Sequence, residues 1–152
     1  MDRDFFVPPI DPRQVVAPSK EIYDAMGEGN IDRMIDDLYI QLEQSSIREM
    51  FSTDLKAAAK RSAAFFVGLL GGPPIYHQRY GNPMMRARHM PFPIDLAARD
   101  VWLACFERVL ENADDKYRFP KQHLESFREF LQGFSMWMVN TKSKPESING
   151  EG

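Results

Sequence analysis

Apolar residues recur along this chain at helical spacing. From residue 30 to 44, Ile31, Met34, Ile35, Leu38, Tyr39 and Leu42 keep the i, i+3, i+4, i+7 rhythm that turns one helix face toward a core, and Asn30 stands where an N-cap belongs. Residues 54–70 repeat the rhythm with Leu55, Ala58, Ala59, Ser62, Phe65, Phe66 and Leu69, a face small at one end and aromatic at the other. Gly71-Gly72-Pro73-Pro74 stops that helix. After Pro93, Asp95 is placed to cap a third stripe of Ala98, Val101, Trp102, Cys105, Phe106 and Val109. A fourth, over about 121–140, carries Leu124, Phe127, Leu131, Phe134 and Met138, widened by Phe130 and Trp137. No segment alternates over strand length. The predicted fold is all-α: four main helices, a short leading helix near 19–26 and a short turn near 46–50.

Proline agrees with this division. The 11 prolines crowd the amino terminus and the stretch 73–93, leaving 19–72, 94–119 and 121–144 free for helices, which proline would break. The stretch 73–93 therefore reads as loop. Residues 1–18 read as a flexible amino-terminal extension and the polar 142–152 as a disordered tail, with one domain over 19–141.

Composition narrows the class. A length of 152 residues suits one domain, and 43% hydrophobic with 27% charged residues is ordinary for a globular protein. A formal charge of −3 offers no basic field for a phosphate backbone, so nucleic acid is not an expected partner. The apolar run 63–70 falls far short of the about 20 residues a membrane span needs, and acidic residues and prolines near the start deny it a signal-peptide core. The single cysteine, Cys105, excludes a disulfide framework and fits a reducing cytoplasm.

Common catalytic signatures are absent: no GxSxG, HExxH, P-loop or GxGxxG occurs. Cys105 sits in a core stripe and reads as an inert thiol. Asp36, Asp37, Glu43 and Glu49 fall on solvent faces and read as solvated charge. His123 reads as a surface side chain and His77 as a loop residue. His89 differs, because it ends RARH and precedes MPFPI, between cationic Arg86 and Arg88 and apolar Met90, Phe92 and Ile94. A structural histidine and a metal ligand with apolar walls, as haem requires, both suit that setting. Tyr39 and Trp102 alone read as core aromatics.

The run from Gly71 to Leu103, GGPPIYHQRYGNPMMRARHMPFPIDLAARDVWL, resembles the truncated haemoglobins of the second group, with their Gly-Gly-Pro loop, Arg-x-Arg-His segment, Pro-Phe pair and Arg-Asp-x-Trp-Leu helix start. IDRMIDDLYIQL and SMWMVNTKS resemble that family's second helix and the end of its last, so the likeness covers about residues 19–142. The resemblance implies a globin-like two-over-two helical sandwich around haem b. It implies His89 as the iron ligand, and Tyr39 and Trp102 as distal donors to a bound diatomic ligand. Phe51 would pack on the haem face, and Ala58 would stand where many globins keep a distal histidine. Arg61, Tyr76 and Arg88 would reach the propionates, and Phe65, Phe92 and Ile94 would line the cofactor. Two positions depart from the family. Asn82 replaces a usual histidine in a turn that asparagine also favours. Ser62 replaces a bulky apolar residue, so either a third polar group enters the pocket or the register of 51–58 shifts by one.

The implied function is reversible binding of dioxygen and related gases (NO, CO), with oxygen transport, nitric-oxide oxidation or peroxide turnover as further roles. The iron's electrons would come from a separate reductase, and the chain would act as a monomer or weak dimer. The alternative is a haem-free globin-shaped scaffold or partner-binding module.

Overall fold

The computed structural model describes residues 14–142, and every regular element among them is helical. In chain order these are α1 (Ile22–Met26), α2 (Glu28–Glu43), α3 (Leu55–Leu69), α4 (Ile75–Tyr80), α5 (Met85–His89), α6 (Leu96–Leu110), α7 (Ala113–Tyr117) and α8 (Leu124–Met138). Single 3-10 turns lie at Arg48–Met50 and Lys121–His123. The four long helices carry the four predicted stripes. Asp95 caps α6 as its position suggests, accepting from the Ala98 N–H at 2.8 Å.

The start of α2 differs from the prediction. Gly27, at φ +81°, separates α1 from α2, so the helix begins before Asn30. Asn30 lies inside the helix, where its amide donates to the Met26 carbonyl at 2.9 Å. The fourth helix also starts late, at Leu124, because residues 121–123 form the 3-10 turn. Two short helices, α4 and α5, occupy the stretch expected as loop, and α7 had no predicted counterpart.

Helix α2 packs against α3 and α6, and α6 against α8, giving two helix pairs joined across a shared core. At its centre Phe66 of α3, Phe106 of α6 and Phe127 of α8 meet edge to face, with ring centroids 5.7–6.1 Å apart. Rings in that arrangement add about 0.5–1.5 kcal/mol per pair beyond the area they bury. Cys105 is buried in the same core, as its stripe position implies.

Gly71 and Gly72 let the chain double back onto α1. Gly71 has φ +109°, and a Cβ there would lie 1.9 Å from the Lys20 carbonyl oxygen. One on Gly72 would meet the Tyr23 ring at 2.6 Å. This close approach lets the Tyr23 N–H donate to the Leu70 carbonyl at 2.9 Å.

Two surface assignments change. Asp37 accepts a hydrogen bond from the buried Tyr117 hydroxyl at 2.5 Å, so it is not simply solvated. His123 has a side chain only 21% exposed and pairs with Glu21 at 3.1 Å, tying the start of α8 to α1. Residues 1–13 of the predicted extension and 143–152 of the predicted tail lie outside the described residues. Val15, of the predicted extension, packs against the core.

Candidate functional site

A cavity of about 340 Å³ opens between the helix pairs and the α4–α5 segment. That lies within the range of about 300–1,000 Å³ usual for small-molecule sites. All 12 residues expected to line a site do line it: Tyr39, Phe51, Ala58, Arg61, Ser62, Phe65, Tyr76, Arg88, His89, Phe92, Ile94 and Trp102. Helical spacing explains the convergence. On α3, Ala58, Arg61, Ser62 and Phe65 stand at i, i+3, i+4 and i+7, so one stripe faces the hollow. On α5, Met85, Arg88 and His89 do the same within a single turn.

His89 ends α5 rather than lying in a loop. Its Nδ1 is 2.7 Å from the Met85 carbonyl, and because a carbonyl only accepts, Nδ1 must carry the proton. The ring's free lone pair is then on Nε2, the arrangement of a metal-binding imidazole whose other nitrogen is tied to the backbone. His77 is exposed on α4, and neither it nor His123 lines the cavity.

Across the cavity, Tyr39 of α2 meets Phe51 edge to face at 5.9 Å, and Ser62 of α3 lines the same hollow. Ser62 therefore faces the pocket while Phe51 and Ala58 line it too, so the register of 51–58 needs no shift. Burial pushes the Tyr39 hydroxyl above its ordinary pKa, against smaller opposing effects of Ser62 and Arg61. The hydroxyl stays protonated and able to donate at neutral pH. Trp102 of α6 packs edge to face on Phe106 at 5.3 Å. Its indole N–H makes no hydrogen bond among the described residues.

The arginines at the mouth are not equivalent. Arg61 is exposed, with no hydrogen bond or ion pair among the described residues. Arg88 is largely committed: Nε donates to the Pro83 carbonyl at 2.7 Å, and Nη2 to those of Tyr80 and Asn82 at 3.1 and 2.9 Å. Its guanidinium also lies 5.6 Å from the centroid of the buried Tyr76 ring. Arg88 thus braces the α4–α5 turn as well as lining the cavity.

Several lining residues escaped the sequence reading. Arg99 of α6 bonds the buried Ser135 hydroxyl and the Gln132 carbonyl, both at 3.1 Å, and lines the cavity with Ser135. Arg99 was visible only as part of a helix-start motif, and Ser135 only as the first residue of the SMWMVNTKS segment. Met50, Met85 and Met138 complete apolar walls that soft, unbranched side chains fill well.

Among the described residues no group of three or more His, Cys, Asp and Glu could hold a metal ion. A lone imidazole facing an apolar hollow fits a metal whose other ligands come from a flat macrocycle. Nor, among the described residues, is any helix long and apolar enough to cross a membrane.

Residues 21–140 match a family model described as bacterial-like globin. The chain is 35% identical over 91 residues to the group 2 truncated hemoglobin YjbI of Bacillus subtilis, a stretch covering 59% of this chain and 69% of that protein. The phosphate-bound Hell's gate globin IV aligns at a TM-score of 0.80 and 37% identity, over 91% of this chain and 84% of the other. The truncated oxygen-avid haemoglobin from Bacillus subtilis aligns at a TM-score of 0.69 and 33% identity, over 78% and 98% of the two chains.

Proposed function

This chain belongs to the bacterial-like globin family, among the group 2 truncated haemoglobins with their two-over-two fold, and from that premise we propose that it holds haem b and reversibly binds dioxygen and related diatomic gases. Globin membership implies haem-based gas binding in general. The finer reading rests on one observation above all: His89, with Nδ1 spent on Met85, presents Nε2 at a largely apolar cavity. A non-covalent b-type haem suits a chain whose one cysteine is buried in the core and takes no part in lining the cavity.

Haem supplies the ferrous iron at which a diatomic gas is held. The chain's own groups do the rest. His89 holds the cofactor by Nε2, and its Nδ1–H bond to Met85 fixes the tautomer and ring orientation. Tyr39 and Trp102 are the distal donors, and each can stabilise negative charge that develops on a gas ligand. Ser62 adds a further hydroxyl to the cavity wall near Tyr39. Ala58 cannot ligate a metal, so it leaves the distal side open. Arg61, whose guanidinium is uncommitted among the described residues, is the principal partner for a propionate, with Arg88 offering its remaining N–H groups. Phe51, Phe65, Tyr76, Phe92 and Ile94 supply apolar contact.

Two distal donors favour tight oxygen binding, and the similar Bacillus subtilis haemoglobin is itself described as oxygen-avid. Nitric-oxide oxidation and peroxide turnover are secondary activities that would draw electrons from a separate reductase. The buried lone cysteine fits a cytoplasmic protein. The decisive experiment is expression with ample haem: the purified protein should show a Soret band that His89→Ala loses. A colourless wild-type protein refutes the proposal and leaves the haem-free scaffold standing.

A further inference from the structure

The cavity does not explain how so short a helix keeps His89 in place. Helix α5 has 5 residues, where isolated helices are marginal even at about 12–15. It is entered through Met84 in left-handed backbone, φ +36°, and left through a segment containing Pro91 and Pro93. Its anchors lie far along the chain. Asn140, just beyond α8, is 0% exposed, and its side chain is spent on one short span. The amide Nδ2 donates to the His89 carbonyl at 3.2 Å and the Phe92 carbonyl at 2.9 Å. Oδ1 accepts from the Ile94 N–H at 2.9 Å, and the backbone N–H of Asn140 returns a bond to the Ile94 carbonyl at 2.9 Å. Arg86 of α5 reciprocates, donating through Nη1 to the carbonyls of Trp137 and Val139 at 2.5 and 2.9 Å.

We infer that Asn140 is a positioning residue for His89, setting the register of the segment 89–94 and through it the attitude of the imidazole. The inference rests on His89 being the haem ligand. A fully buried amide is costly unless its polar groups are matched, and here both amide hydrogens and the amide oxygen meet partners between His89 and Ile94. An apolar residue could fill the space but would leave the Phe92 carbonyl and the Ile94 N–H unpaired and the His89 carbonyl with only its bond from the Phe92 N–H. An aspartate would keep the bond to Ile94 while turning a second acceptor toward the two carbonyls.

The test uses the haem-loaded full chain with Asn140→Ala and Asn140→Asp. Loss of a partner that orients a metal ligand typically costs about 10–100-fold in metal affinity, so haem transfer to excess apomyoglobin should quicken by at least about tenfold in both. The iron–imidazole stretching band in the resonance Raman spectrum of the ligand-free ferrous protein should shift or broaden. For Asn140→Asp the ratio of its haem-loss rate to that of the wild type should fall as the pH falls, because protonation restores one donor toward the carbonyls. Unchanged transfer rates with an unchanged Raman band, or an Asp/wild-type ratio flat with pH, overturn the inference. If Asn140→Ala does not fold, the Asn140→Asp ratio decides alone. A wild-type chain that takes up no haem overturns the proposed function itself, an outcome distinct from a loaded wild type whose variants behave identically to it.

Discussion

Removing both distal donors, in Tyr39→Phe combined with Trp102→Phe, is expected to speed oxygen release by about three orders of magnitude. A hydrogen bond to a charge-bearing acceptor contributes about 1.5–3 kcal/mol, and about 1.4 kcal/mol is tenfold in an equilibrium constant. The two sites should not contribute equally. Tyr39 belongs near the lower figure, about tenfold on its own, because the neighbouring Ser62 hydroxyl also lines the cavity and can donate in its place. The Trp102 indole has no competing acceptor among the described residues and belongs near the upper figure, about a hundredfold. Their product is the expected effect, reduced to whatever extent the neighbouring donors are coupled. The assay is stopped-flow displacement of oxygen by carbon monoxide on the ferrous protein. Carbon monoxide dissociation serves as the control, because that ligand takes up less negative charge and should respond less to donors. Trp102→Phe also opens space beside Phe106, and a void would speed both gases alike. An oxygen off-rate within about twofold of wild type in the double variant, with an intact Soret band, would refute the placement of donors.

Two further outcomes follow from the packing. Gly71→Ala sets a Cβ against the Lys20 carbonyl at a backbone angle that costs a non-glycine residue about 1–3 kcal/mol before any clash; a lower urea midpoint, followed by tryptophan fluorescence, is expected, and an unchanged one would show that the Lys20–Tyr23 approach is not maintained in solution. Stability should also fall on the alkaline side: burial raises the pKa of Tyr39, and burial together with the Asp37 hydrogen bond raises that of Tyr117. Above the unfolded tyrosine value of about 10 the unfolded chain has lost protons the native chain keeps, so stability is full below that pH and declines through the raised native values. Denaturation midpoints of Tyr117→Phe and wild type should converge as pH rises in that window, and parallel curves would contradict the assignment.

The long helices were legible because each repeats its apolar stripe for several turns, enough for period 3.6 to stand out. Ala58, Arg61, Ser62 and Phe65 carried site and helix in one pattern. Helices of 5 or 6 residues, such as α4, α5 and α7, are too short for such a signal, so His77 and His89 read as loop residues. Gly27 moved the start of α2 because a left-handed glycine ends one helix and begins another, which the stripe alone does not record. Arg99 and Asn140 were opaque for a different reason. Their partners lie 33 to 51 residues away in sequence, and no local pattern encodes a bond across that distance.

That separation also has a temporal side. His89 leaves the ribosome 51 residues before the amide that holds its carbonyl, an interval of about 3–10 s at usual synthesis rates. Throughout it, the segment from His89 to Ile94 lacks the bonds that Asn140 makes to it and keeps only local ones such as Phe92 N–H to the His89 carbonyl. The His89 side of the pocket is therefore finished by some of the last described residues to be made, and stable capture of the proposed haem would follow translation of α8 rather than guide it.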